Sequence, residues 1–213
     1  NTCSISFGDP EFNESQFAAK VAEQYKTAHR VEQVDPEDFS LINKLAGVYD
    51  EPYADSSALP TYRVCELAKK QATVVLSGDG GDENLAGYRR YRWHTYEDRM
   101  RQIMPDAIRK PLFGFMGHVY PKADWAPKIF RAKSTFESIG RDSLEGYFHS
   151  VSVNSNAIRS ALFSETLKND LQGYQAVEVF RRHMKNTPSD NAQSLVQYLD
   201  IKTYLPGDIL TKV

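Results

Sequence analysis

A chain of 213 residues with 41% hydrophobic and 25% charged side chains has an ordinary globular composition and suits one large domain or slightly more. Its formal net charge of −2 argues against a nucleic-acid binder and against a protein attracted to membrane surfaces by charge. No apolar run is long enough to span a membrane, and the two cysteines, Cys3 and Cys65, with no visible secretory signal, predict a reducing, cytoplasmic setting.

The first third of the sequence alternates predicted strands with predicted helices. Short apolar runs bounded by turn residues predict strands at residues 2–7, 29–34 and 73–77. Apolar residues at helical spacing predict three helices. The first begins at Asn13, the second follows Asp35 with Pro36 in its first position, and the third begins at Ser57. Because helices separate the strands, this order predicts a parallel sheet. The consecutive apolar residues Val74 to Leu76 predict a central strand that is buried on both faces.

The rest of the sequence has helical patterns and no convincing strand after Gly87. These patterns cover residues 88–104, 107–118, 144–151, 175–184 and 191–204. We therefore predict an α/β part at residues 1–87 and an all-helical part at residues 88–213.

The stretch VVLSGDGGDENLAGYRRY, residues 74–91, crowds glycines and carboxylates at the end of the third predicted strand. A glycine-rich loop between a strand and a helix is a common ligand site, because backbone N–H groups can receive phosphate oxygens there. Asp79 and Asp82 lie three residues apart and offer oxygen ligands that suit Mg²⁺. Two structural alternatives are a hairpin turn at the Asp-Gly pairs and a simple N-cap role for Asp82.

This stretch resembles the synthetase-domain motif of the glutamine-dependent asparagine synthetases, LSG(D/E)G(G/S)DE followed by two variable residues and GY. Three further stretches resemble that family in the same order: TCSISFGDPEFNE at residues 2–14, YDEPYADSSALPTYRVCELAKK at residues 49–70 and YLPGDILTKV at residues 204–213. The resemblance spans essentially the whole chain.

The resemblance implies an α/β fold of the adenine nucleotide α-hydrolase type, with a Rossmann-like parallel sheet, to which the helical patterns add an all-helical region. It implies ATP and Mg²⁺ as cofactors and a reaction in two stages. ATP adenylates the side-chain carboxylate of aspartate and releases pyrophosphate, and ammonia from a separate glutaminase domain then displaces AMP to give asparagine. Two alternatives are a relative that adenylates another carboxylate, as β-lactam-forming synthetases do, and a scaffold without catalysis.

The resemblance also implies nucleotide contacts at individual positions. Ile5 matches an apolar residue that lies against adenine, although a core strand residue would also be apolar. Ser77 and Gly78 match a pair that contacts the nucleotide, and Gly80 belongs to the glycines that admit the adenylate.

Four further positions match residues near the chemistry. Asp79 matches an acidic residue at the acyl-adenylate, and Asp82 matches a ligand of magnesium pyrophosphate. Tyr88 matches a tyrosine near the reacting centre, and its alternative role is to pack under the loop. Asp208 matches a later acidic residue, with a neighbouring register also open, and its alternative role is to cap a helix.

Two features of the family are absent from the 213 residues. The sequence contains no SGGxDS stretch, with which the family binds pyrophosphate, and no cysteine-glycine pair of the kind that begins the glutaminase domain. We therefore expect the chain to be an excerpt of a longer protein that is inactive alone. Exposed apolar edges at its termini would allow a homodimer, and Cys3, inside a predicted strand, is expected to be buried and inert.

An arginine-rich stretch follows the glycine loop and raises a nucleic-acid alternative. It contains Arg89, Arg90, Arg92, Arg99 and Arg101, with Tyr91 and Trp93 among them. Because the overall charge is negative, we interpret this stretch as a solvated or ion-paired helix face. The expected partners are therefore a carboxylate substrate and ammonia, with neither nucleic acid nor membrane.

Overall fold

Parallel strands and many helices make up the part of the chain that the computed structural model describes, which is residues 1–10, 13–35, 39–53, 55–121, 132–187, 189 and 191–213. This part divides into two compact units. The first comprises Asn1–Asp79 and Pro206–Val213, and the second comprises Gly80–Leu205. The predicted functional parts, residues 1–87 and 88–213, stay a prediction.

The first unit is built on two parallel strands, β1 (Thr2–Phe7) and β2 (His29–Val34). Their register pairs Thr2 with His29 and continues to Phe7 opposite Val34. The helix α1 (Ser15–Gln24) connects them, as parallel pairing requires. Both predicted strands and their parallel arrangement are therefore confirmed.

Two further helical segments follow β2 in the first unit. A 3₁₀ turn at Phe39–Leu41 leads into the short helix α2 (Ile42–Ala46), and α3 (Ala58–Lys69) packs against both strands. Helix α3 confirms the third predicted helix. The predicted helix start at Pro36 lies outside the described residues.

The third predicted strand is wrong in the described structure. Residues 73–77 form no strand, and the sheet of the described residues has two strands. Val74 is 80% exposed and Leu76 is 99% exposed, the opposite of the buried central strand that their apolar character predicts. A strand is held by hydrogen bonds to a neighbour, and no described strand pairs with this run.

The second unit is entirely helical in its described part, as the sequence predicts. Its helices are α4 (Gly81–Leu85), α5 (Arg89–Ile103), α6 (Asp106–Val119), α7 (Lys133–Ile139), α8 (Ser143–Val151), α9 (Asn156–Leu162), α10 (Glu165–Leu171), α11 (Val177–Met184) and α12 (Ala192–Lys202). Helices α5, α6, α8, α11 and α12 confirm the five predicted patterns. A π-helical turn at Leu205–Ile209 follows.

The core of the second unit joins four of these helices. Helices α5, α8, α11 and α12 contribute its buried side chains, which are Tyr91, Leu144, Tyr147, Val177, Phe180, Leu195, Val196 and Leu199. A buried carboxylate, Asp200, lies among them and is 1% exposed. The same core therefore contains an anion that its neighbours must satisfy.

A histidine on α5 is buried in this unit. His94 is 2% exposed, its Nε2 lies 3.1 Å from the Ser143 hydroxyl oxygen, and its ring packs edge-on against Tyr147. Burial, with repulsion from Arg101, lowers the pKa of His94 to about 4.

We expect the free energy of unfolding to fall as the pH drops from neutral towards 4. The unfolded chain binds a proton at a histidine pKa of about 6.5 while the folded chain does not, so His94 alone should cost about 2 kcal/mol between pH 7 and pH 5. Urea unfolding at both pH values measures this. A His94→Gln variant should lose that part of the pH dependence, whereas His118→Gln, at an exposed position, should retain it. Equal slopes in the two variants would contradict the assignment.

Candidate functional site

The glycine loop changes conformation at Gly80. Ser77, Gly78 and Asp79 precede it in irregular, exposed backbone. Gly80 is buried and adopts a left-handed conformation, with φ of 82°, which favours glycine because it lacks a Cβ. It is the N-cap of α4, so the chain turns here from loop into helix.

Asp82 lies in the first helical turn of α4 and is exposed to solvent. Because Gly80 is the N-cap, the alternative in which Asp82 caps the helix is wrong. The hairpin alternative is also wrong, because α4 and α5 follow the loop in place of a strand. An acidic side chain in a first turn is favoured by the helix dipole, and its exposure leaves its oxygens open to a cation.

Because Gly87 has no side chain, the Asp82 side chain can lie against it. A Cβ atom on Gly87 would lie 1.9 Å from Oδ1 of Asp82, closer than any contact permits. The Gly87 amide also donates a 2.9 Å hydrogen bond to the Asp82 carbonyl, and Ala86 between them has a left-handed φ of 57°. The sequence motif contains Gly87, but nothing in its spacing assigned it this role.

Tyr88 is held at both ends. Its hydroxyl donates a 2.9 Å hydrogen bond to Oε1 of Glu83, which is 1% exposed, and the Arg90 guanidinium lies 3.7 Å from its ring centroid. Burial, followed by the hydrogen bond to Glu83, raises the pKa of Tyr88, so its phenol stays protonated at neutral pH. Glu83 thus contributes a side-chain contact to this site, a role that its position in the sequence motif does not indicate.

The remaining predicted residues lie in the first unit. Ile5 is half-buried on β1, where it pairs with Glu32. Asp208 is half-buried in the π-helical turn. The structure thus groups Gly80, Asp82 and Tyr88 within the second unit, and the roles assigned to Ile5 and Asp208 stay predictions.

A lysine joins two of the resembling stretches inside the first unit. The Lys212 ammonium lies 2.5 Å from Oδ2 of Asp55, 2.9 Å from Oδ2 of Asp208 and 2.7 Å from the Ser57 hydroxyl. The Tyr53 hydroxyl lies 2.8 Å from Oδ1 of Asp208. The stretches at residues 49–70 and 204–213 are therefore held together by one ion cluster.

The charges of this cluster stabilise one another. The Lys212 side chain is 4% exposed, and although burial lowers its pKa, hydrogen bonds to Asp55 and Asp208 raise the pKa more. Burial likewise opposes ionisation of Asp55, but the hydrogen bonds from Lys212 and Ser57 lower its pKa. Asp208 is thus ion-paired, a fact that any catalytic role for it must accommodate.

Asp82, which the resemblance matches to a ligand of magnesium pyrophosphate, is exposed in the first turn of α4. Within the described ranges, no group of three or more histidine, cysteine, aspartate or glutamate side chains could hold a metal ion. Mg²⁺ that shares its coordination with phosphate oxygens and waters needs only one or two carboxylates, so the exposed Asp82 fits this kind of site.

Two other sequence-based expectations are also resolved. Cys3 is half-buried and not fully buried, because β1 is incompletely covered along its length, and both cysteines have free thiols in the described structure.

The arginine-rich stretch is helix α5, in which Arg90 pairs with Asp200 and Arg101 with Glu97, while Arg92 is exposed. This agrees with a partly ion-paired, partly solvated helix face. No helix among the described residues is long and apolar enough to cross a membrane.

We expect Gly87→Ala to destabilise the chain by about 1 kcal/mol, because the new methyl group must displace the exposed Asp82 carboxylate and also crowds the Asp82 backbone. Ala86→Gly is the matched control, since it relieves a left-handed alanine and should change stability by no more than about 1 kcal/mol, in the stabilising direction. Urea unfolding of both variants measures the two effects. A Gly87→Ala variant as stable as the unmodified chain would contradict the close contact.

We expect Lys212→Met to lower the free energy of unfolding by about 2 kcal/mol at pH 7, because Asp55 and Asp208 lose their shared cation. The difference should begin to shrink below about pH 4, because the unfolded chain then takes up a proton on Asp55 that the folded, ion-paired carboxylate binds only at lower pH. Unfolding curves at pH 7 and pH 3.5 test this, with Lys69→Met, at an exposed position in the same unit, as the control. A pH-independent loss would show that packing, and not charge, matters here.

Comparison with known proteins identifies the family. The family model described as asparagine synthase matches residues 1–212. The chain is 45% identical over 166 residues to a "Putative asparagine synthetase [glutamine-hydrolyzing] 2" of Methanocaldococcus jannaschii, covering 78% of this chain and 31% of that protein. It is 29% identical over 212 residues to "Asparagine synthetase [glutamine-hydrolyzing] 1" of Bacillus subtilis, covering 99% of this chain and 32% of that protein.

The chain thus spans about a third of the length of these curated relatives. No solved structure matches it. The family match extends over nearly every residue and includes the glycine loop, the Tyr53–Ser57 segment and the segment that contains Lys212. The chain belongs to the asparagine synthase family.

Proposed function

We propose that this chain supplies the ATP-binding, adenylating part of a glutamine-dependent asparagine synthetase. The observation that carries the proposal is the glycine loop, in which a left-handed Gly80 starts a short helix and leaves Asp82 exposed at its first turn. The family match and the names of the relatives support it. An adenine nucleotide α-hydrolase-like, Rossmann-like sheet is proposed as the complete fold.

The proposed reaction has two steps. An oxygen of the aspartate side-chain carboxylate attacks the α-phosphorus of ATP, forming β-aspartyl-AMP while pyrophosphate leaves. Ammonia from glutamine then attacks the acyl carbon and AMP leaves, which yields asparagine. The main task of the site is to hold the carboxylate in line and to stabilise the charge that develops on pyrophosphate.

Residues of this chain are assigned to separate tasks. Ile5 lies against adenine, and Ser77, Gly78 and Gly80 let the backbone approach the nucleotide. Asp82 holds Mg²⁺, which when bound neutralises charge on the pyrophosphate. Asp79 acts at the acyl-adenylate.

Two further residues complete the proposed assignments. Tyr88 is a neutral hydrogen-bonding group near the reacting centre, because its phenol is protonated at neutral pH. Asp208 contributes through its ion pair with Lys212, which fixes its carboxylate.

The acceptor could be another carboxylate, and the aromatic-rich stretch of residues 89–133 is where such a difference would arise. A scaffold role is the alternative without chemistry. The exposed Asp82 favours catalysis over a scaffold, since a scaffold needs no open carboxylate beside a left-handed glycine.

A chimaera tests the proposal. The chain replaces the corresponding 212-residue region of the Bacillus subtilis relative, and aspartate-dependent exchange between ATP and pyrophosphate is measured. We expect exchange in the chimaera, none with the 213 residues alone, and a loss of about 100-fold in Asp82→Asn. Asp170→Asn, which changes an exposed aspartate of α10, should have no effect.

The outcomes separate the alternatives. Exchange with another carboxylate but not with aspartate would assign a different acceptor. A correctly folded chimaera without exchange for any carboxylate would overturn the proposed function, and exchange by the 213 residues alone would overturn their predicted inactivity.

A further inference from the structure

Helix α4, which contains Asp82, cannot be stable by itself. It has five residues, and no side chain caps its N-terminus. Isolated helices of this length do not form in water, because one turn costs more backbone entropy than its hydrogen bonds return. Its conformation must therefore depend on contacts with other elements, and α12 packs against it.

Gln197 of α12 contacts α4 directly. Its side-chain Nε2 donates hydrogen bonds of 2.8 Å to the Glu83 carbonyl and 3.2 Å to the Asn84 carbonyl. These carbonyls belong to the last turn of a five-residue helix, where backbone acceptors lack intrahelical partners. Gln197 of α12 thus supplies the hydrogen bonds that the last carbonyl groups of α4 do not find within the helix.

Asp200 lies one turn further along α12 and reaches the loop through Arg90. Its Oδ2 accepts hydrogen bonds from Arg90 Nη2 at 2.7 Å, from the Tyr91 hydroxyl at 2.8 Å and from the Tyr147 hydroxyl at 2.7 Å. The carboxylate is 1% exposed, so these donors offset the loss of water at Oδ2, while Oδ1 has no hydrogen-bond partner among the described residues. Arg90 is thereby fixed in one orientation.

Arg90 in turn contacts Tyr88, which follows the glycine loop. Its guanidinium lies 3.7 Å from the Tyr88 ring centroid, which is cation–π geometry, and 5.0 Å from that of Tyr204. Tyr88 in turn donates its hydroxyl hydrogen to Glu83 at 2.9 Å. Glu83 is the residue next to Asp82, so the chain of contacts from α12 ends beside the proposed metal ligand.

We propose that Gln197 and Asp200 are positioning residues that hold α4, and with it Asp82, in the conformation needed for the adenylation step. Gln197 acts on the backbone of α4, and Asp200 acts through Arg90 and Tyr88 on the Glu83 side chain. The link to adenylation rests on the proposed function; the positioning itself does not.

Amide hydrogen exchange in the 213-residue chain tests the positioning. The amides of Asn84 and Gly87 donate within the loop, to the carbonyls of Gly80 and Asp82. We expect their exchange to accelerate about tenfold in Gln197→Ala, while amides of α8 are unchanged. The control Gln102→Ala removes an exposed glutamine of α5 and should leave the loop amides unchanged. Unchanged loop exchange in Gln197→Ala, or equal acceleration throughout the second unit, would overturn the proposal.

A spectroscopic probe tests the contacts that link Asp200 to Tyr88 through Arg90. With 3-fluorotyrosine at position 88, the ¹⁹F resonance should shift in Asp200→Asn and in Arg90→Lys, because the cation above the ring moves. Arg90→Lys retains the positive charge and guards against a misfolded Asp200 variant, and Arg92→Lys, at an exposed position on the same helix, should cause no shift. A resonance that does not move in Arg90→Lys would overturn this link through Arg90.

The two proposals fail separately. Neither measurement uses ATP or aspartate, so an inactive chimaera would count against the proposed function alone. In an active chimaera, Gln197→Ala should lower the rate of ATP–pyrophosphate exchange at saturating ATP, and an unchanged rate would overturn the link between positioning and adenylation.

Discussion

The buried carboxylate of Asp200 is the interaction on which the second unit depends. A charge removed from water needs several strong donors, and Asp200 obtains them from Arg90, Tyr91 and Tyr147. These donors come from α5 and α8, while Asp200 lies on α12. One buried anion therefore constrains how these three helices pack, in a core where apolar packing alone would tolerate several arrangements.

The same carboxylate connects the core to the loop. Tyr91 and Tyr147 belong to the apolar cluster, whereas Arg90 faces Tyr88 and the start of the glycine motif. The stability of the helical core and the shape of the loop are consequently not independent. A substitution deep in α12 can alter the loop without touching it.

Local patterns were sufficient for much of the fold. The strands at residues 2–7 and 29–34 and the helices α3, α5 and α12 were predicted because each has a clear apolar period and recognisable boundaries. Helices α7, α9 and α10 were not, since each has seven residues and too few turns to show a period. The run at residues 73–77 was misassigned because apolar character indicates what a segment could bury and not whether a neighbour is there to bury it.

The candidate site could be predicted in part. The chemistry of Asp82 was visible in the motif, because a carboxylate among glycines has few structural reasons to be there. The residues that position Asp82 could not be predicted from the motif. Gly87 matters through a single absent Cβ atom, and Gln197 and Asp200 lie more than a hundred residues along the chain, where only the folded structure brings them to the loop.

The exposed run from Val74 to Leu76 also affects how the isolated polypeptide behaves. The side chains of Val74, Val75 and Leu76 are open to solvent, in the unit that also contains the two-stranded sheet, and such an exposed apolar run favours the addition of another extended chain. We therefore expect association at high concentration to depend on this short segment as well as on net charge. Leu76 is 99% exposed, so replacing it with a charged residue would disfavour the addition of another chain without altering the described core.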